Sequence, residues 1–216
     1  AAPGIELKLA TDLVEATSDT GAYVQLSGVI KRTAVKLSKI CNDLRLLASG
    51  PRAGFNEINL PQMQPGSSIM PGKVNPVIPE VVNQTSFLVI GLDLTVTLAA
   101  SAGQLQLNVM EPVITYALFK SISTMENAVN SLRVNCVQGI TANVERSHDL
   151  VLNSLGIITV LKPLLGYKQC AEIARECHQT GKSLHAVVVE ERQLLTQERW
   201  EEVFSFENLI NPKFEN

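Results

Sequence analysis

The chain has 216 residues, of which 45% are hydrophobic and 18% are charged, and its formal net charge at pH 7 is −3. The charged fraction is below the roughly 25% typical of soluble domains, so we expect more helix faces than usual to be buried, including faces between subunits. The small negative charge provides no basic surface for nucleic acid or for an anionic membrane, and we expect neither as a partner.

The first twenty residues do not resemble a secretory signal, because they lack a continuous apolar segment. The acidic residues among them are Glu6, Asp12, Glu15 and Asp19. The longest apolar run, residues 87–102, is interrupted by Asp93 and is shorter than the roughly 18 apolar residues of a membrane span. We therefore expect a cytoplasmic protein whose cysteines are reduced, buried thiols.

Three long helices are predicted in the first two thirds of the chain, over residues 22–48, from Pro79 to about Met110, and over residues 114–137. In the first helix, apolar residues recur at alternating spacings of four and three, as in a heptad seam. This seam consists of Leu26, Ile30, Thr33, Leu37, Ile40, Leu44 and Leu47. The seams predicted for the other two helices are Phe87, Ile90, Leu94 and Thr97, and Leu118, Ile122, Met125, Val129, Leu132 and Cys136. Three such helices indicate an all-α protein built on a long-helix bundle.

The composition changes at the sequence GITAN, residues 139–143. Beyond it, shorter helices are predicted over residues 143–155, 167–179, 183–194 and 196–204, separated by glycine or proline. We interpret residues 1–142 as a helical-bundle domain and residues 143–216 as a small helical C-terminal domain. The histidines of the second domain, His148, His178 and His185, lack metal-ligand spacing, and no metal site is predicted.

The segment GSSIMPGKVNP, residues 66–76, lies in a non-periodic stretch between the first two long helices. A flexible linker is disfavoured, because its prolines, apolar residues and lysine stand in order rather than in a random Gly/Ser mixture. A phosphate-binding P-loop is excluded by its spacing. Five residues rather than four separate Gly66 from Gly72, and Val74 follows Lys73 where a hydroxyl residue would be required.

A binding site for another kind of anion fits the residue types better. The hydroxyls of Ser67 and Ser68, the cation of Lys73 and the amide of Asn75 lie within nine residues, and glycine allows backbone N–H groups to approach a ligand. Pro76 stands where the next helix is expected to begin, so a helix N-terminus adds positive field. These features favour a carboxylate ligand, and a purely structural serine-rich turn is the alternative.

The sequence GSSIMPGKVNP resembles the signature loop of the aspartase/fumarase superfamily. Two flanking segments, GPRAGFNEINLP at residues 50–61 and PVIPEVVNQ at residues 76–84, are similar to those of aspartate ammonia-lyases. Fumarases tend to carry Thr-Gln where this chain has Val77 and Ile78. The segment AGQLQLNVMEPVI, residues 102–114, is also aspartase-like, and the resemblance extends over essentially the whole chain. It implies a lyase that acts on a small carboxylate substrate without a cofactor or metal.

The resemblance also implies roles for individual residues. Ser67 would be the general base that removes a proton next to the β-carboxylate of L-aspartate, giving an enediolate that expels ammonia and leaves fumarate. Lys73 would support the deprotonated serine and hold substrate carboxylate. Glu80 matches a family acid that pairs with an active-site histidine outside this chain, and a buried acid at this position needs a partner. The implied substrate-binding residues are Ser68, Ile69, Met70, Lys73 and Asn75, within a loop hinged at Gly66 and Gly72 that closes over substrate.

The resemblance further implies a homotetramer whose active sites combine residues from three subunits. Other substrate-binding residues and the histidine belong to a preceding half of the family's chain, so residues 1–142 correspond to the C-terminal part of its central helical domain. The 216-residue chain by itself is therefore expected to be an inactive fragment. The alternative enzyme is a fumarase or another superfamily lyase that releases fumarate, and the alternative outside the enzymes is a helical oligomerisation module.

Overall fold

The computed structural model describes residues 4, 6, 8–65, 70 and 73–211. The chain divides into two compact units, Ala1–Ala142 and Asn143–Asn216. The described residues are mostly helical, with one two-stranded sheet among them, so the predicted all-α class is confirmed.

The first unit is built on three long helices, and the middle one packs against both of the others. Its helices are α1 (Leu13–Ser18), α2 (Gly21–Leu47), α3 (Val77–Ser101) and α4 (Glu111–Asn135). A short 3-10 turn, Val137–Gly139, follows α4. The antiparallel strands β1 (Ile58–Asn59) and β2 (Thr141–Ala142) join the segment after α2 to the end of the unit, with Ile58 opposite Ala142.

The residues that α2 buries are smaller than the predicted seam. Ser27, Ala34 and Cys41 are buried along this helix, and Ile30, Leu37 and Leu44 of the prediction pack partly buried beside them. Of the other predicted positions, Leu47 is half-buried, and Leu26, Thr33 and Ile40 are exposed. The heptad spacing was therefore right at Ile30, Leu37 and Leu44. At the exposed positions it was wrong by one residue, because the buried residue is the next one along the chain. Small residues on α2 allow its backbone to approach that of α3 closely.

The same difference occurs in α3 and α4. In α3 the buried apolar positions include Val82, Val89 and Val96, whereas the predicted Phe87 and Leu94 are about 60% exposed. Of the positions predicted for the third helix, Leu118, Met125 and Leu132 in α4 and Cys136 just after it are buried, but Ile122 and Val129 are exposed. Periodicity identifies apolar residues, but it does not distinguish among several apolar faces on one helix.

The helix α3 ends at Ser101, so the prediction that it continues to about Met110 was wrong. The side chain of Asn108 folds back and donates hydrogen bonds to the carbonyls of Ala99 at 3.1 Å and Ala100 at 3.2 Å. Its own amide oxygen accepts from the N–H of Met110 at 2.8 Å. These bonds satisfy carbonyls at the helix end that lack an intrahelical donor, and the chain turns instead of continuing.

By length and composition, α3 could cross a membrane, which corrects the expectation that no segment of this chain is long and apolar enough. A second, bent candidate combines Val144–Leu152 with Leu155–Thr180. Core helices of bundles have the same length and composition, and α3 packs on two neighbours. Near its middle, the buried Asp93 accepts hydrogen bonds from Ser27 Oγ at 2.8 Å and Lys31 Nζ at 2.6 Å.

The second unit consists of short helical segments around its own core. Its helices are α5 (Val144–Leu152), α6 (Lys162–Thr180), α7 (Gln197–Val203) and α8 (Phe206–Ile210), with a 3-10 segment at Leu155–Leu161 and a π-helical segment at Ala186–Glu191. The core includes the fully buried Leu161, Ile173 and Val187. Gly166, at φ 76°, kinks α6, and Gly181, at φ 69°, ends it in the left-handed conformation that favours glycine.

All four cysteines are free and buried, as predicted. Burial raises the pKa of the Cys41 thiol from an ordinary 9.0 to about 11, and the nearby Cys136 contributes in the same direction. Burial likewise raises the pKa values of Cys136, Cys170 and Cys177. These thiols therefore remain protonated and unreactive at neutral pH.

We predict that the thiol of Cys41 makes the folded protein less stable at alkaline pH. Between about pH 9 and pH 11 the unfolded chain loses a proton that the folded chain retains, so the contribution of Cys41 to the free energy of unfolding falls across this window and is constant below it. The full loss is about 3 kcal/mol, because a pKa difference of one corresponds to about 1.4 kcal/mol. Denaturant unfolding at several pH values measures it, and Cys41→Ala should flatten the slope. An unchanged slope in this variant would contradict the prediction.

Candidate active site

A cleft of about 360 Å³ lies where the chain leaves α2 and where it enters α3. Its polar lining contains two cations, Arg45 and Lys73, and three amide side chains, Asn56, Asn59 and Asn75. The remaining lining residues are Ala48, Ser49, Gly50, Pro51, Ile58, Leu60, Val74 and Pro76. Among the described residues that line the cleft there is no carboxylate, so its side chains favour an anionic ligand.

One wall of the cleft is a tight turn fixed to the C-terminal end of α2. The Ser49 side-chain oxygen accepts from the N–H of Phe55 at 3.1 Å, and the Ser49 carbonyl accepts from the N–H of Asn56 at 2.8 Å. Gly54 packs so closely here that a Cβ atom would lie 2.4 Å from the Ser49 carbonyl. Only glycine fits at this position, which explains the second glycine of the segment GPRAGFNEINLP.

The other end of this wall is held by the strand pair. Asn59 Nδ2 donates to Thr141 Oγ1 at 3.2 Å, next to the β1–β2 ladder. Pro61 packs against Gly139, where a Cβ atom would lie 2.6 Å from the proline ring. The wall is thus anchored at both ends by backbone and side-chain contacts, which holds its amide groups in place before a ligand binds.

The opposite wall is the end of the segment that carries the signature sequence. Lys73 and Asn75 line the cleft as the sequence predicts for anion-binding groups. The N–H of Lys73 donates to the Met70 carbonyl at 3.2 Å, and the N–H of Val77 donates to the Asn75 carbonyl at 2.9 Å. Because α3 begins at Val77, its positive N-terminal end lies beside these side chains.

The structure does not describe every predicted site residue. Met70 is about half exposed. The other predicted loop residues Gly66, Ser67, Ser68, Ile69 and Gly72 lie outside the described residues. Lys73 and Asn75 are therefore the predicted binding residues that the described structure brings together in the cleft.

Glu80 lies on the first turn of α3, and its backbone N–H donates to the Pro76 carbonyl at 3.1 Å. Its carboxylate Oε1 is 3.8 Å from Arg45 Nη2, and its side chain is 40% exposed, so Glu80 is not the buried acid that the sequence led us to expect. Its pairing with a histidine outside this chain stays a prediction. Sequence reasoning did not identify Arg45 as a site residue. A cation in the last turn of a helix is ordinarily explained by the helix dipole, and no local pattern distinguishes this one.

The histidines give no sign of a metal centre. Among the described residues, no group of three or more His, Cys, Asp and Glu side chains could hold a metal ion. His185 contacts Gln197 at 2.8 Å and Glu190 at 3.2 Å through its two ring nitrogens. It also packs edge-on against Trp200, with 5.1 Å between the ring centroids, so its contacts are those of a structural residue.

Comparisons with known proteins identify the class to which this fold and cleft belong. A family profile described as "Lyase" matches residues 3–91, and a profile described as "Fumarase C C-terminus" matches residues 157–211. The chain belongs to the aspartase/fumarase superfamily of lyases.

Within this superfamily, the chain is similar to several aspartate ammonia-lyases. It is 60% identical to that of Helicobacter pylori over 94% of this chain, and 58% identical to that of Escherichia coli K12 over 95%. Each alignment covers 43% of the relative, so the chain spans less than half the length of these curated relatives.

Solved structures show the same fold. A Brucella melitensis protein described as a fumarate lyase:delta crystallin superimposes with a TM-score of 0.87 at 52% identity, covering 93% of this chain and 43% of that one. A class II fumarase from Schistosoma mansoni superimposes with a TM-score of 0.86 at 34% identity, covering 95% of this chain and 43% of that one.

Proposed function

We propose that the full-length protein is an aspartate ammonia-lyase that converts L-aspartate reversibly to fumarate and ammonia. The observation that carries this proposal is the cleft in which Lys73 and Asn75 face the GPRAGFNEINLP wall, in a chain 60% identical to aspartate ammonia-lyases. Lys73 and the three amides suit a dicarboxylate substrate, because a carboxylate accepts several hydrogen bonds and is attracted by the charge of Lys73.

In the proposed mechanism, Ser67 is the general base that removes a proton from the β-carbon of L-aspartate. The electron pair passes to the adjacent carboxylate as an enediolate and then forms the carbon–carbon double bond, while the C–N bond breaks and ammonia leaves. Lys73 and the positive end of α3 stabilise the negative charge that develops on this carboxylate. Ser68, Ile69, Met70 and Asn75 bind the substrate, and Glu80 pairs with a histidine outside this chain.

The proposed assembly is a homotetramer in which several subunits contribute to each active site. Its support is the large apolar surface that the first unit leaves exposed, including Phe87, Leu94 and Leu98 on α3 and Tyr116 and Phe119 on α4. Monomeric proteins rarely expose apolar surface on this scale. We propose that residues 1–142 form part of a shared helical bundle and that residues 143–216 form a separate small domain.

A substrate panel tests the proposed reaction. Full-length protein is incubated with L-aspartate, L-malate or argininosuccinate, and the release of fumarate is measured. We expect release from L-aspartate. Release from L-malate alone would favour the fumarase alternative, to which the 34% identical Schistosoma mansoni structure gives some support. Release from none of the three would contradict an enzymatic function of this class and favour the oligomerisation module.

We predict that the 216-residue chain, produced alone, releases no fumarate from L-aspartate. It spans 43% of its aspartate ammonia-lyase relatives, and the resemblance implies that the histidine partner of Glu80 belongs to the preceding half of the family's chain. Fumarate release by the purified chain, with its mass verified, would contradict this prediction.

Because all four cysteines are free thiols, we also propose that the protein acts in the cytoplasm.

A further inference from the structure

A hydrogen-bonded chain of side chains connects the interior of the first unit to the cleft. Asn83 is only 3% exposed, and its side-chain N–H groups donate to the Ser38 carbonyl at 3.0 Å and to Ser38 Oγ at 2.9 Å. Its amide oxygen accepts from Arg45 Nη1 at 3.3 Å. Both the N–H groups and the oxygen of the buried amide are therefore hydrogen-bonded, and these bonds to residues of α2 fix its orientation.

Arg45 continues this chain towards the cleft. One guanidinium nitrogen, Nη1, contacts Asn83, while the other, Nη2, lies 3.8 Å from Glu80 Oε1. The guanidinium is planar and rigid, so holding one of its nitrogens also directs the other. Arg45 also lines the cleft, together with Lys73 and Asn75. Arg45 thus links a buried, fixed amide, through a hydrogen bond, to a carboxylate 3.8 Å away, through charge attraction.

We propose that Arg45 is a positioning residue that holds the Glu80 carboxylate in its working orientation, with Asn83 and Ser38 as its support. This inference rests on the proposed function, because it assigns Arg45 its effect through the acid proposed for the reaction. The side chains of Arg45 and Glu80 are 42% and 40% exposed, so their ion pair contributes little to stability. The proposed effect of this ion pair is to fix the position of the Glu80 carboxylate.

A double-mutant cycle in the full-length protein tests this role. Arg45→Met and Glu80→Gln are each expected to lower kcat/KM about 100-fold, the scale of a 1 Å misplacement. Because Arg45 acts through Glu80, the double variant should be no more than about threefold worse than the poorer single variant. Arg45→Lys should recover part of the loss, since an ammonium reaches Glu80 or Asn83 but not both. A double variant about 10,000-fold worse than wild type, the product of the two effects, would overturn the proposal.

Control variants distinguish positioning from other effects. Lys39→Met removes an exposed cation from the same helix, where Lys39 pairs with Asp43, and should leave kcat/KM unchanged. If Arg45 bound substrate directly, Arg45→Met would raise KM with kcat unchanged, which would also overturn the proposal. If Arg45→Met lowers the melting temperature by more than about 4 °C, Arg45→Gln takes its place, because glutamine keeps a donor for Asn83.

The test also separates this inference from the proposed reaction. If the wild-type protein releases fumarate from L-malate but not from L-aspartate, the proposed function fails and the same cycle is measured on L-malate. A crystal structure of the Arg45→Met protein provides a readout without turnover. The Glu80 carboxylate is expected to leave its place beside the cleft, and an unchanged position would overturn the proposal.

Discussion

Replacing Ser67 with alanine in the full-length protein is expected to lower kcat for L-aspartate by about 1,000-fold. The substitution removes the proposed base, and a positioned base contributes roughly 100-fold to 10,000-fold to a proton transfer. Lys73 and Asn75 remain in the cleft, so substrate should still bind and KM should change little. Steady-state kinetics of fumarate release measure both constants.

The neighbouring serine provides the matched comparison. Ser68 is proposed to bind the substrate carboxylate, so Ser68→Ala should raise KM more than it lowers kcat, the opposite pattern to Ser67→Ala. Melting temperatures of both variants should remain within a few degrees of the wild type, because the sequence predicts both serines in a loop, where a substitution by alanine usually costs little stability. If Ser67→Ala retains wild-type turnover, the loop loses its assigned role, and the oligomerisation module becomes the better explanation.

Replacing Lys31 with methionine is expected to destabilise the folded protein by about 1 to 3 kcal/mol, the usual cost of leaving a buried polar group without one of its partners. Asp93 is only 6% exposed near the middle of α3, and Lys31 is its cationic partner, at 2.6 Å. Without Lys31, the carboxylate keeps only the hydroxyl of Ser27 as a hydrogen-bond donor from this network. Denaturant unfolding at neutral pH measures the loss.

Removing both charges should restore much of the lost stability. In the Lys31→Met/Asp93→Leu double variant, no carboxylate remains to be desolvated, and an apolar side chain of similar volume suits a helix that packs between two others. Asp93→Asn alone should cost less than Lys31→Met, because a neutral amide is cheaper to bury and Lys31, with its side chain 46% exposed, can turn to water. A double variant less stable than Lys31→Met would contradict this account.

The two wall contacts explain the glycines at positions 54 and 139. Gly54 lies against the Ser49 backbone and Gly139 against Pro61, so a side chain at either position would displace the cleft wall. The sequence resemblance identified the segment GPRAGFNEINLP but not its function. The structure shows that it supplies Asn56 and Asn59 to the same cleft as Lys73.

The sequence by itself predicted the helical class and the places of the three long helices, apart from the end of α3, whereas the anion-binding role of the loop stays a prediction. These properties depend on residues close together in the chain, because helix periodicity and the ordered Ser, Lys and Asn positions are local. The tertiary structure alone decided which face of each helix is buried. It placed Ala34 and Val89 inside and left Phe87 outside, although all three are apolar.

The tertiary structure also decided where α3 ends and which cation accompanies Glu80. Asn108 caps the carbonyls of α3 only because the chain turns back after Ser101. Arg45 meets Glu80 and Asn83 only because α2 packs against α3, which brings together residues of two separate helices. No spacing rule within one helix contains that information, since such contacts depend on how two helix faces are paired in space.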